Sequence, residues 1–257
     1  MIDLHTHLLP GVDDGSPSIE VSVPVLQRFA TEGVEVVVCT PHLRASQASA
    51  APRARNEELL AALAAATPNG PRLELGWEIM LDEPGTNLGA PGLSLARSRA
   101  VLVEFPRTGP PSNGGAELFR LRMSGLVPVL AHPERYWGCT VEQVREWKRC
   151  GAAIQMDAVM LLGRSPLSAL AHDLVAEGLV DCMASDNHAD ERTLMIARKW
   201  LTEVGETGQA DLLTRENPGR LLDDRELVPV PPLARRRGMM GRLRELVGLG
   251  RDVRKNS

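Results

Sequence analysis

The chain has 257 residues, of which 43% are hydrophobic, and its formal net charge is -4. This length suits one large domain with a single core, and α/β barrels often reach it. An acidic balance argues against a broad nucleic-acid interface, which needs a basic face. No basic segment followed by an apolar stretch stands near Met1, and no run of about 18 apolar residues occurs downstream. We therefore expect a cytoplasmic protein that does not bind nucleic acid.

Short apolar or β-branched segments recur along the chain and predict seven β-strands. They cover residues 2–4, 34–39, 73–75, 101–103, 127–130, 153–156 and 179–183. Helical patterns separate most of them, at residues 19–31, 52–66, 116–124, 141–150 and 167–177. This alternation predicts parallel strands joined by helical crossovers, in a barrel or an open sheet. Residues 78–100 and 107–115 are rich in Gly and Pro and are predicted as loops.

Histidines and acids stand at the carboxyl ends of the predicted strands. The first strand is followed by two histidines and by Asp13 or Asp14, and later strand ends supply three more histidines and three acids. Because the carboxyl ends of parallel strands converge on one face, these side chains can meet in space. The histidines are His5, His7, His42, His132 and His188, and the later acids are Glu78, Glu104 and Asp186.

Imidazole and carboxylate groups are ligands for Zn, Mn, Fe and related divalent ions. The alternative, a set of buried ion pairs without metal, would remove several charged groups from water together, which is costly. A cluster holding more than one metal ion is the preferred interpretation. The four cysteines form no CxxC pair and predict neither a thiolate zinc site nor a disulfide framework.

With these residues in place, the chain resembles the polymerase and histidinol phosphatase (PHP) superfamily. Within it, the chain is similar to the CpsB/CapC-type manganese-dependent protein-tyrosine phosphatases of bacterial capsule and exopolysaccharide systems. The matching stretches are "DLHTHLLPGVDDG", "CTPH", "GWEI", "LVEFP", "AHPERY", "GLVDCMASDNH" and "ENPGRLL". The resemblance implies a distorted seven-stranded (β/α) barrel over residues 1–232, with the metal site at the carboxyl ends of the strands.

The resemblance also implies three divalent ions, manganese first, with iron or zinc as alternatives. One ion would take His5, His7, Glu78 and Asp186; the second Glu104 and His132, with Glu78 bridging; the third Asp14, His42 and His188. Arg135 would bind phosphate, and Arg192 is the nearest match to a second phosphate-binding arginine. Leu43 and Asp157 depart from the family pattern, and Asp157 puts a negative charge near the phosphate.

The implied activity is hydrolysis of phosphotyrosine by a metal-bound hydroxide, with no covalent phosphoenzyme. The implied substrate is a phosphotyrosine protein, in particular a bacterial tyrosine kinase that regulates capsule or exopolysaccharide synthesis. The runner-up is a PHP-type small-molecule phosphatase, such as one acting on histidinol phosphate. Cleavage of nucleic-acid phosphodiesters and a noncatalytic metal-stabilised binding module rank lower.

A cysteine-dependent phosphatase must also be considered, because Cys139 and Arg145 have the C-x5-R spacing. The intervening residues contain no glycine, include Glu142 and begin a predicted helix, so they cannot form a phosphate-cradling loop. The spacing is attributed to chance. Cys39 is predicted to be a small buried strand residue, and His172 a surface or packing residue in a helix.

Residues 233–257 form a basic segment with eight Lys or Arg against two acids, a net charge of +6 that leaves -10 for the remainder. Apolar residues alternate with arginines at a helical spacing, but four glycines weaken the helix. The segment is a solvated tail, a helix that closes the barrel, or a peripheral contact with an anionic membrane or acidic partner.

Truncation after Pro232 tests these alternatives. We expect an unchanged kcat on a small aryl phosphate and weaker, salt-sensitive binding to anionic vesicles in a sedimentation assay. If the full-length chain ignores anionic vesicles at low salt, the membrane contact is wrong. If truncation unfolds the domain, the tail is structural.

Overall fold

The computed structural model of the chain describes residues 1–106 and 109–233, so the predicted basic tail lies outside the described residues from 234 onward. Nine strands occur in these ranges. They are β1 (Ile2–Thr6), β2 (Val36–Cys39), β3 (His42–Arg44), β4 (Arg72–Leu75), β5 (Glu78–Met80), β6 (Ala100–Glu104), β7 (Val127–Ala131), β8 (Ala153–Asp157) and β9 (Cys182–Ala184).

Helices connect most of the strands, as the sequence predicted, and within the described ranges none is long and apolar enough to cross a bilayer. They are α1 (Ile19–Thr31), α2 (Arg53–Ala66), α3 (Gly114–Met123), α4 (Val141–Arg149), α5 (Pro166–Ala176), α6 (Met195–Glu203), α7 (Thr207–Asp211) and α8 (Asn217–Leu222). The first five coincide with the five predicted helical segments to within two residues.

The strands are parallel and form two sheets, in the orders β1-β2-β4 and β3-β5-β6-β7-β8-β9. The predicted count of seven strands is not confirmed, because two further short strands, β3 and β5, follow the predicted segments 34–39 and 73–75, and β5 lies in residues predicted as a loop. Thr40 and Pro41 separate β2 from β3, and Gly76 and Trp77 separate β4 from β5. Proline has no N–H for the ladder, and a Cβ on Gly76 would lie 2.6 Å from Leu95 Cδ2.

Backbone hydrogen bonds continue the pairing of each sheet up to these interruptions. The Gly76 N–H donates to the Cys39 carbonyl at 2.9 Å, and the Glu78 N–H donates to the Pro41 carbonyl at 3.1 Å. At the other edge, Thr6 and Asn187 form an isolated parallel bridge just beyond β9. The interruptions place His42 and Glu78 opposite each other at the starts of β3 and β5, and the bridge brings the ends of β1 and β9 together.

The core consists of two apolar clusters, and successive residues of a strand belong to one or the other because their side chains point to opposite faces of the sheet. In β6, Val101 and Val103 pack with the helices, whereas Ala100 and Leu102 join a second apolar cluster formed mainly by strand residues. Glu104 continues the row of Ala100 and Leu102 and ends it with a carboxylate. The second cluster supports the polar groups at the strand ends and contains Leu4, Val38, Leu95, Ala100, Leu102, Val129, Ala131, Ala153, Cys182 and Leu221.

Candidate metal centre

The centre begins at the end of β1, where two histidines face each other. The Nε2 atoms of His5 and His7 lie 3.2 Å apart, and both side chains are fully buried. Gln155 Nε2 donates to Asp157 Oδ1 at 3.1 Å, which directs Gln155 Oε1 toward His5 Nδ1 at 3.0 Å. His5 Nδ1 therefore carries a proton in this arrangement, and Nε2 remains free to bind a cation.

Asp13 orients His7 in the way that Gln155 orients His5, by contacting its Nδ1 atom. Asp13 Oδ2 lies 2.7 Å from His7 Nδ1 and leaves Nε2 directed at the cluster. Asp13 also accepts from the backbone N–H groups of Gly15 and His42, at 3.0 and 3.3 Å. The loop after β1 therefore uses its two acids differently, with Asp13 orienting a histidine and Asp14 facing the cluster.

Glu78, at the start of β5, is the central carboxylate and is only 2% exposed. Glu78 Oε1 lies 2.7 Å from His132 Nε2 and 3.5 Å from His5 Nε2. Its second oxygen lies 2.7 Å from His42 Nδ1 and 3.4 Å from His7 Nε2. Glu78 therefore contacts four of the five predicted histidines.

Asp186 completes a four-residue set with His5, His7 and Glu78. Its Oδ1 lies 3.4 Å from each of His5 Nε2 and His7 Nε2. Divalent ions bound at about 2.1 Å hold neighbouring donor atoms about 3.0–3.4 Å apart, from octahedral to tetrahedral geometry. The separations among His5, His7 and Asp186, 3.2 and 3.4 Å, fit that requirement, whereas Glu78 reaches His5 and His7 through different oxygens at 3.5 and 3.4 Å.

The remaining predicted residues form adjoining groups. Asp14 Oδ1 lies 3.1 Å from His42 Nε2 and 3.6 Å from His188 Nε2. Glu104 Oε2 lies 3.9 Å from His132 Nε2, and its donor atoms also cluster with those of His42 and Glu78. All nine predicted ligand residues are therefore brought together at the strand ends.

The two predicted arginines meet at Asp186. Arg135 Nη2 and Arg192 Nη1 lie 2.8 and 2.9 Å from Asp186 Oδ2. Arg135 Nε also lies 2.8 Å from Oδ2 of Asp157, a buried residue at the end of β8. Asp157 accordingly holds the guanidinium of Arg135 from one side while Asp186 holds it from the other.

Charge compensation governs the ionisation of the cluster. Burial opposes the charged form of Glu78, but His5, His132 and His42 hold the pKa of Glu78 well below its usual range. Burial likewise disfavours protonation of His132, yet Glu78 and Asp157 raise its pKa to about 9. The carboxylates therefore require nearby positive charge. Protonated imidazoles supply it here. Divalent ions would supply it with the imidazoles bound as neutral ligands.

Two of the predicted ligands occupy backbone conformations that non-glycine residues rarely adopt. His132 has φ 35° and Asp186 has φ 48°, both in the left-handed region. Each such residue costs about 1–3 kcal/mol and persists where the surroundings impose it. Ala131 packs in the second apolar cluster, and the left-handed turn at the next residue directs the His132 imidazole toward Glu78.

Gln155 is a contributor that sequence reasoning missed. It stands two residues before Asp157 in β8, on the same face, and links His5 to Asp157. The sequence predicted ligands at the ends of the other six strands but none in residues 153–156, the predicted strand that corresponds to β8. The same-face spacing of Gln155 and Asp157 was the signal available in the sequence.

The cysteine-dependent alternative is excluded by its surroundings. Cys139 precedes α4, whose N-cap Thr140 accepts from Gln143 N–H, so the segment is a helix start without an anion cradle. Burial raises the pKa of the Cys139 thiol to about 12. Arg145 pairs with Glu142 and Glu177 instead. Cys39 is fully buried, as predicted.

The fold and the cluster together define an α/β protein with a histidine- and carboxylate-rich centre at the carboxyl ends of parallel strands. A family model described as "Capsular polysaccharide synthesis, CpsB/CapC" matches residues 1–223. The chain belongs to the CpsB/CapC family.

Two relatives and one solved structure give the extent of the similarity. Tyrosine-protein phosphatase YwqE of Bacillus subtilis (strain 168) is 27% identical over 205 residues, 73% of this chain and 77% of the relative. Tyrosine-protein phosphatase CpsB of Streptococcus agalactiae is 25% identical over 201 residues, 73% and 83% of the two chains. A crystal structure from work on YwqE of B. subtilis and CpsB of Streptococcus pneumoniae, described as unique metal-dependent tyrosine phosphatases, superposes with a TM-score of 0.79. It has 26% identity and covers 91% of this chain and 100% of that chain.

Replacing Asp157 tests its hold on Arg135. In Asp157→Ala the guanidinium loses its Nε partner, and we expect about a tenfold loss of affinity for inorganic phosphate, the size of one charge-assisted hydrogen bond. Asp157→Asn keeps an acceptor oxygen and should stay within about threefold of the parent. Calorimetric titration with phosphate measures both, with exposed Asp223→Ala as the control. Equal losses in the Ala and Asn variants would show that the charge of Asp157, not its contact with Arg135, matters.

Proposed function

We propose that this protein is a metal-dependent protein-tyrosine phosphatase that hydrolyses phosphotyrosine without a cysteine nucleophile. The observation that carries the proposal is the convergence of nine imidazole and carboxylate side chains on one edge, directly beside Arg135 and Arg192. Membership of the CpsB/CapC family and similarity to proteins named tyrosine-protein phosphatases support the same activity.

The nine residues would hold three divalent ions, manganese in the first instance. His5, His7, Glu78 and Asp186 would hold the first; Glu104 and His132, with Glu78 shared, the second; and Asp14, His42 and His188 the third. The donor separations and the fixed Nδ1 partners of His5 and His7 support this assignment. Divalent ions in such a cluster lower the pKa of bound water and neutralise phosphate oxygens.

Arg135 would bind the phosphate, since its guanidinium lies at the cavity side of the cluster and is 27% exposed. Asp157 and Asp186 fix the guanidinium in place, which reduces the conformational entropy lost on binding. Arg192 would be the second phosphate ligand, reached from the loop after β9 and anchored by Asp190 at 2.8 Å. Both arginines would neutralise charge on the transferring phosphoryl group.

The two sheets would together make a distorted (β/α) barrel of the PHP type over residues 1–232, with the basic segment 233–257 as a separate tail. The Thr6–Asn187 bridge, which links β1 of the first sheet to the chain just beyond β9 of the second, supports closure. A cytoplasmic location would give access to a phosphorylated bacterial tyrosine kinase of capsule or exopolysaccharide synthesis. The tail would add a peripheral contact at the inner membrane.

Glu78→Gln tests the shared ligand. Removal of one negative charge from the centre should lower the bound metal by at least one equivalent and abolish activity, because Glu78 contacts four histidines at once. Elemental analysis and turnover of an aryl phosphate measure both effects, with chelator treatment of the parent as a second route. Cys139→Ser is the matched control and should keep full activity. A folded Cys139→Ser protein without turnover would restore the cysteine mechanism.

Substrate comparison tests the reaction class. Under one metal condition, phosphotyrosine peptides should be hydrolysed with a higher kcat/KM than phosphoserine peptides or histidinol phosphate. A preference for histidinol phosphate would establish the small-molecule phosphatase instead. Steady-state release of inorganic phosphate from the three substrates gives the comparison directly.

A further inference from the structure

A cavity of about 290 Å³ opens beside the metal centre, and its walls differ in chemistry. One side is charged and belongs to the centre. The rest of the lining consists of Tyr136, Met160 and Leu167, whose side chains are mainly apolar. A phosphate ester of a flat aromatic ring has the same division, with a charged end and an apolar end. The charged side consists of Glu104, His132 and Arg135.

Met160 is held in place by the packing of a short turn. It lies in the 3-10 turn Ala158–Leu162 that follows β8, where neighbouring Leu161 is 3% exposed. His172 Nε2 donates to the Leu161 carbonyl at 3.0 Å. The His172 ring stacks on Trp200, with centroids 5.4 Å apart and an interplanar angle of 10°. His172, which was predicted to be a surface or packing residue, therefore packs against the turn that carries Met160.

Leu167 lies in the first turn of α5, which contacts the Pro133–Arg135 turn. The Ser165 side chain accepts from Ser168 N–H at 3.2 Å and caps the helix, so the position of Leu167 is fixed by the helix start. Leu167 is 40% exposed although it is apolar. An apolar group placed against it at the cavity mouth would remove this surface from water, which is favourable.

We propose that Met160 and Leu167 form an aryl wall that contacts the ring of phosphotyrosine while its phosphate lies on Arg135. This inference rests on the proposed function and assigns the residues that determine its preference for tyrosine. Phosphoserine presents no ring to the aryl wall and gains nothing from it. Methionine suits the contact, because its flexible thioether adapts to the face or edge of an aromatic ring.

The test uses the full-length, metal-loaded protein and two peptides of one sequence that differ only in phosphotyrosine or phosphoserine. Met160→Ala and Leu167→Ala should each lower kcat/KM for the phosphotyrosine peptide about five- to tenfold, the effect of a lost apolar contact in a binding site. The phosphoserine value should change by less than about twofold. Inhibition by inorganic phosphate and metal content should match the parent.

Matched variants separate the aryl wall from general effects on the fold. Met160→Leu keeps the volume and apolar surface and should restore most of the phosphotyrosine rate. Met123→Ala removes a methionine that is 70% exposed at the end of α3 and should change neither peptide. Because Leu167 is partly exposed, Leu167→Ala keeps the test valid if Met160→Ala does not fold.

Selective loss on the phosphotyrosine peptide supports the aryl wall. Equal losses on the two peptides, or no loss on either, overturn it while leaving the phosphatase assignment intact. A metal-loaded parent that hydrolyses no phosphomonoester would overturn the proposed function, and the aryl wall with it.

Discussion

The structure depends on balancing two buried carboxylates, Glu78 at the start of β5 and Asp186 just beyond β9. Each is nearly inaccessible, and an uncompensated carboxylate in such a place is unstable by several kcal/mol, about the net stability of a whole domain. Imidazoles surround Glu78, and two guanidiniums join the histidines at Asp186. Asp186 has a left-handed backbone in this arrangement, a conformation that costs free energy and that the surrounding contacts impose.

Parallel strands make this concentration of charge compatible with a stable core. Alternate residues of β6 pack in the second apolar cluster and their row ends in Glu104, whereas in β8 Ala153 packs in that cluster and its row continues through Gln155 to Asp157. The apolar part of each row provides burial, and its last residue provides a functional group. The two strand interruptions bring His42 and Glu78 into paired positions at the start of β3 and β5, where they lie directly opposite each other.

A continuous set of polar contacts links the candidate metal centre to the guanidinium of Arg135. It runs from His5 through Gln155 to Asp157, then to Arg135 and Asp186, and returns to His5. Closed sets of this kind restrict each member, because moving one side chain leaves another buried polar group unpaired. The orientation of Arg135 and the free Nε2 of His5 are therefore determined together.

Periodicity and strand ends in the sequence determined the α/β class, the first five helices and eight ligand-type residues, because these are short-range properties, while the resemblance to the CpsB/CapC family singled out Asp14 and the two arginines. The sequence also marked Cys139 as unsuited to catalysis, since the helix start was visible in residues 139–145. Tertiary structure decided the division into two sheets, because β2 pairs with β4 and β3 pairs with β5, and these pairings join residues that are distant in sequence. It also decided the orienting roles of Asp13 and Gln155 and the pairing of Asp157 with Arg135. Those contacts join residues on different strands and loops, and only the folded chain sets the distances between them.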